Sequence, residues 1–102
     1  MAVIKLTKEN FIDEVMGAHV PVLIDFYADW CGPCRMLAPT VDALSEREDI
    51  KVCKINVDEQ PELATTFEVQ VIPTLVAMKD GGVLGKSTGV MTEAAILKLL
   101  GV

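Results

Sequence analysis

The spacing of apolar side chains divides the chain into short segments with two periodicities. Val3 to Leu6 reads as a short strand. Phe11, Ile12, Val15 and Met16 recur at helical spacing, with Thr7 or Asn10 placed to cap the helix and Gly17 to stop it. Pro21 to Ala28 is an almost unbroken apolar run, the signature of a strand covered on both faces. From Arg35 to Arg47 the helical period returns in Leu37, Val41 and Leu44, with Pro39 inside it expected to kink the helix by removing a hydrogen bond. Ile50 to Val57 is a further strand. Pro61 to Phe67 is a short helix with proline in its first turn. Thr74 to Lys79 and Val83 to Thr88 flank Asp80-Gly81-Gly82 and predict a hairpin. Thr92 can cap a final helix that turns Ile96, Leu97 and Leu100 to the core. No repeats, linkers or low-complexity segments interrupt the order β-α-β-α-β, connecting helix, β-β-α. Right-handed crossovers make the first three strands parallel, and the hairpin adds an antiparallel edge. The expected class is α/β, a mixed central sheet with helices on both faces.

Composition narrows the picture. A chain of 102 residues suits one domain, residues 1–102, with a single core, and 51% hydrophobic residues argue against disorder. A net charge of -6 and a pI near 4.6 exclude the basic face that nucleic acid requires. No apolar run reaches the roughly 18 residues of a membrane-spanning helix. Met1 to Lys5 leads straight into a strand pattern without the charged and apolar regions of a signal peptide, so a cytoplasmic protein is expected. In that compartment a disulfide is transient and catalytic rather than structural, and three cysteines fit it better than a secreted framework.

The chemistry is concentrated in Trp30-Cys31-Gly32-Pro33-Cys34, where a buried strand gives way to a helix. Residues three apart in a helical turn have Cβ atoms roughly 5–6 Å apart. A disulfide can then close with little adjustment, since bridged Cα atoms lie about 4.4–6.8 Å apart. Cys31 faces the free N–H groups and positive end of the helix dipole, which favour a thiolate. Gly32 permits the tight turn, and Pro33 supplies a helical φ where a missing N–H costs little. Such a dithiol can open and close without unfolding its surroundings, which points to thiol–disulfide exchange. Half of a zinc site is the rival reading. Zinc needs about four ligands, and the other candidates, Cys53 and His19, stand alone outside any ligand spacing.

Two further residues carry charge into apolar surroundings. Asp25 lies between Ile24 and Phe26 and shares a face with Leu23 and Tyr27, where solvent is hard to reach. Burial raises the pKa of such a carboxyl, and Lys54, on the adjacent strand of the expected sheet, offsets that by favouring the charged form. Cys53 precedes Lys54, so it points to the opposite face and reads as a small buried hydrophobe. His19 sits in a loop with no assigned chemistry.

The run Asp25-Phe26-Tyr27-Ala28-Asp29-Trp30-Cys31-Gly32-Pro33-Cys34 resembles the active-site signature of the thioredoxin family. Ala38-Pro39, Asn56-Val57-Asp58, Ile72-Pro73-Thr74, Gly81 and Gly89 fall where that family has landmarks, so the resemblance covers nearly the full length. It implies the thioredoxin fold: a five-stranded mixed sheet of order 1-3-2-4-5 with four helices on its two faces, and a cis Pro73 packed against the disulfide. It makes Asp25 the buried acid beneath the resolving cysteine. Trp30 then belongs to an exposed apolar rim with Ile72, Pro73, Gly89 and Val90, able to hold an extended peptide. The implied activity is general protein-disulfide reduction, with Cys31 as nucleophile, Cys34 as resolving thiol, Asp25 as proton acceptor and Lys54 as its modulator. Gly32-Pro33 resembles the reducing members rather than the disulfide oxidants and isomerases, and a rigid binding module is the alternative from another class. A thioredoxin reductase and disulfide-containing proteins are the implied partners of a monomer that itself binds no cofactor. Three departures stand out: Val71 where a small residue is frequent, Met78 for phenylalanine and Tyr27 for tryptophan. The last two read as different fillings of the core, whereas Val71 borders the docking rim and bears on partner preference.

Overall fold

The computed structural model describes residues 2–102. Five strands, β1 (Ile4–Lys5), β2 (Val22–Tyr27), β3 (Lys51–Asn56), β4 (Thr74–Lys79) and β5 (Gly82–Thr88), form one sheet in the order β1-β3-β2-β4-β5. The first three are parallel, while β4 and β5 join antiparallel. The helices are α1 (Gly32–Leu44), α2 (Pro61–Thr66), α3 (Glu93–Leu100) and an N-terminal π-helical segment, Ile12–Met16. This is the sheet order and helix complement that the family resemblance implies.

Strand alternation sorts the core into two layers. Val22, Ile24 and Phe26 of β2, with Cys53, Ile55, Val76 and Met78, pack with Phe11, Val15, Leu63 and Phe67. On the opposite face Leu23, Val52, Leu75 and Ala77 meet Leu37, Val41 and Leu44 of α1 and Ile96 and Leu100 of α3. Central β2 is therefore buried on both sides, and every residue from Val22 to Phe26 is at most 5% exposed. Met78 fills the first layer, as expected of an alternative core residue.

The N-terminal helix departs from its predicted form. Gly17 N–H bonds to the Ile12 carbonyl, five residues back (3.2 Å), which widens the turn. A wider turn rotates residues off the i, i+4 stripe. Val15 is buried and Phe11 half-buried, but Ile12 is 63% and Met16 44% exposed. Thr7 and Asn10 close the preceding turn reciprocally: Thr7 N–H donates to Asn10 Oδ1 (2.7 Å), and Asn10 N–H to Thr7 Oγ1 (3.3 Å). At the hairpin, Lys79 pairs with Gly82 across a two-residue loop. Asp80 and Gly81 both take positive φ, 52° and 80°, as a type I′ turn demands.

Candidate active site

Helix α1 begins three residues earlier than its apolar period indicates, and this places both sulfurs at its N-terminus. Cys31 is the N-cap residue, in extended conformation, with Gly32 and Pro33 following it. The Cys34 N–H donates to Cys31 Sγ (3.2 Å), so the sulfur occupies the place where a capping oxygen ordinarily satisfies a free amide. Cys31 and Cys34 are joined by a disulfide, their Cα atoms 5.2 Å apart. Cys31 Sγ also lies 3.9 Å from the Ile72 carbonyl oxygen, which a reduced thiol can reach as donor. That carbonyl belongs to the Ile72–Pro73 peptide, which is cis.

Solvent access does not separate the two cysteines: each is 4% exposed. Exposure therefore does not single out Cys31 as the reactive thiol. What distinguishes it is the amide aimed at its sulfur and its place at the positive end of the helix dipole.

Behind the disulfide, α1 and the sheet enclose a cavity of about 260 Å³. Asp25, Tyr27, Cys34, Ala38, Asp42 and Lys54 are among its lining residues, and Cys31 is not. Asp25 is 5% exposed, and its Oδ1 has no hydrogen-bond partner among the described residues. Burial pushes its pKa from 3.8 up to about 7, opposed by the Lys54 charge and reinforced by that of Asp42. Lys54 is the register partner of Asp25 across β2 and β3, and its ammonium sits 5.6 Å above the Tyr27 ring. Tyr27 is thus half-buried beneath a cation rather than simply filling the core. The expectation that Lys54 lies on the strand adjacent to Asp25 agrees with this register. Cys53 lies in the opposite layer, fully buried, and burial pushes its thiol up to about 12.

The predicted rim is assembled around Cys31 but is uneven. Trp30 is 68% and Val90 50% exposed, whereas Ile72 and Gly89 are half-buried and Pro73 is buried. Pro73 therefore supports the rim from below, and its place in an exposed rim is corrected. Its carbonyl accepts the Gly89 N–H (2.9 Å), tying the loop after β5, where Gly89 has φ 87°, to the residue that follows the cis bond. Val71 is exposed beside them. Asp58, in the sequence no more than a family landmark, is a further contributor to the rim. Asp58 Oδ2 accepts the Trp30 indole N–H (2.8 Å) and so fixes the most exposed rim side chain. Asp58 stands in a turn just past β3, its N–H bound to the Oδ1 of buried Asn56 (2.9 Å). Only the parallel pairing of Tyr27 with Asn56 brings that turn to Trp30, so the signal lies in the register.

The sequence model described as Thioredoxin matches residues 2–101. A thioredoxin from Mycobacterium tuberculosis is 42% identical over 101 residues, covering 97% of this chain and 87% of that protein. Thioredoxin 1 of a Nostoc species is 40% identical over 97% of this chain and 94% of its own length. Among solved structures, a mutant thioredoxin from Halobacterium salinarum superposes with a TM-score of 0.88 at 40% identity, covering 97% of this chain and 88% of that one. Chloroplastic thioredoxin z superposes at 0.86 with 31% identity, over 99% of this chain and 93% of that one. The fold and the bridged cysteine pair define a thiol–disulfide oxidoreductase. The chain belongs to the thioredoxin family, and Cys31 and Cys34 are its redox-active pair.

Proposed function

We propose that the protein is a general reductant of protein disulfides, with the Cys31 thiolate as nucleophile. Cys31 Sγ attacks one sulfur of a substrate disulfide, and the other substrate sulfur leaves and is protonated. Cys34 then gives its proton to Asp25 and attacks Cys31 Sγ, expelling the second substrate thiolate and leaving the Cys31–Cys34 disulfide. Two electrons from a thioredoxin reductase restore the dithiol, so the chain itself needs no bound cofactor. The observation that carries this reading is the bridge between N-cap and third helical residue of α1, backed by a cavity that Asp25 and Cys34 share. Lys54 biases the charge of Asp25, and Gly32-Pro33 sets the reducing tendency. Substrate peptide lies along Trp30, Ile72, Gly89 and Val90 above Pro73. A cytoplasmic monomer suits such a carrier.

Insulin reduction in the presence of a thioredoxin reductase and NADPH tests the proposal. Wild-type protein turns over and Cys31→Ser does not. Undiminished function of Cys31→Ser would instead identify a binding module. Stopped-flow reduction resolves the second step, which Asp25→Asn slows near neutral pH and Lys54→Met slows less.

A further inference from the structure

Cys34, Ala38 and Asp42 follow one another at intervals of four along α1, so they stack on one side of the helix. All three line the cavity behind the disulfide. Ala38, with only a methyl group, leaves the space between the outer two open. Cys34 is buried at one end and Asp42 is exposed at the other. Asp25 meets the same cavity from β2, its Oδ1 unpartnered among the described residues, and Lys54 meets it from β3. The other titratable or charged residues of the lining are Arg35 on α1, Tyr27 at the end of β2, and Asp29 just beyond it. Arg35 donates from Nη1 to the Asp29 carbonyl (2.8 Å), which holds its guanidinium toward that end. Lys54 and Asp42 are thus the opposed charges on Asp25, one from the sheet and one from the helix.

We propose that Asp42 is a positioning residue for proton transfer: its carboxylate at the solvent end of the cavity counters the Lys54 ammonium, so that Asp25 remains an effective acceptor for the Cys34 proton. Without that counterweight, Lys54 holds Asp25 ionised to lower pH and makes it a weaker base. The charges of Lys54 and Asp42 do act on Asp25 in opposite senses, after the dominant effect of burial. Because Asp42 is exposed, its influence crosses the cavity mouth and is open to screening by salt, unlike burial. The inference rests on Asp25 being the acceptor.

Carbon-13 titration of the Asp25 carboxyl in the oxidised full chain tests it, with wild type, Asp42→Asn and Lys54→Gln compared. Asp42→Asn is expected to lower the proton affinity of Asp25 about two- to fourfold at low salt, and Lys54→Gln to raise it. The Asp42 effect fades between about 0.01 M and about 1 M salt, as the screening length falls from roughly 30 Å to roughly 3 Å. In stopped-flow, the rising limb of the pH profile for mixed-disulfide resolution moves to lower pH by the same factor. An unmoved Asp25 midpoint at low salt overturns the inference. So does a shift that survives undiminished in high salt, because that reports a rearranged cavity rather than a charge. Wild-type resolution by Asp25→Asn overturns the acceptor reading itself, in a measurement separate from the titration.

Discussion

Burial of the Asp25 carboxyl makes the stability of the fold depend on pH. That carboxyl is held near pKa 7 by burial against an ordinary 3.8, so the folded chain binds a proton that the unfolded chain has already lost. The contribution to stability is fully present below about pH 4 and disappears as pH rises through about 7, an effect of about 4 kcal/mol at most. Denaturant melts from pH 4 to pH 8 are expected to show this decline in wild type and a flatter course in Asp25→Asn, which is as stable or more stable at pH 8. Equal slopes in the two proteins would mean that Asp25 does not carry the raised proton affinity. Cys53 is the contrasting case. It is also buried in a central strand, but its thiol is pushed up to about 12 and faces the other layer. Cys53→Ala is expected to leave insulin reduction unchanged at a cost of about 1 kcal/mol from lost packing, read in a urea melt. A large loss of turnover with the fold intact would contradict this.

At the scale of elements, boundaries matter more than lengths. The apolar period of α1 locates its buried face, Leu37, Val41 and Leu44, yet its functional end is set by the cap at Cys31. The last helix, α3, is fixed at both ends by local chemistry. Thr92 Oγ1 accepts the Ala95 N–H (3.1 Å), and Gly101 closes the helix in the left-handed conformation, φ 76°. Thr92→Ala is expected to destabilise the fold by about 1 kcal/mol while leaving the rate of mixed-disulfide formation unchanged. An unaltered midpoint of denaturation would show that the hydroxyl is dispensable. The N-terminal segment illustrates the opposite. Its i, i+4 apolar stripe predicts one buried face, but the π-helical turn leaves Ile12 and Met16 exposed.

For the whole molecule, the disulfide is an accessory to the fold rather than its foundation, since two core layers hold the sheet without it. Cys31 and Cys34 are three apart in sequence, so the bridge closes a very short loop. Chain entropy then gives the oxidised form an advantage of about 2 kcal/mol. Paired melts with and without dithiothreitol are expected to show a reduced protein that still unfolds cooperatively at modestly lower denaturant. Loss of cooperativity on reduction would mean that the bridge organises the core. Much of this was legible in the chain itself. The Cys-Gly-Pro-Cys run at a strand–helix junction declares the chemistry because cap, dipole and spacing are local properties. Apolar periodicity likewise gives the order of elements and the face each one buries. Other features exist only once the sheet is assembled. The pairing of Asp25 with Lys54 follows from a predicted neighbour relation, but the cavity beside it depends on how α1 lies across the sheet. Asp58 reaches Trp30 through the β2–β3 register, and Pro73 lies beneath the rim rather than in it. The sequence by itself determined which groups react and which segments fold. Tertiary structure decided what surrounds them, because burial, charge and contact depend on residues far apart in the chain.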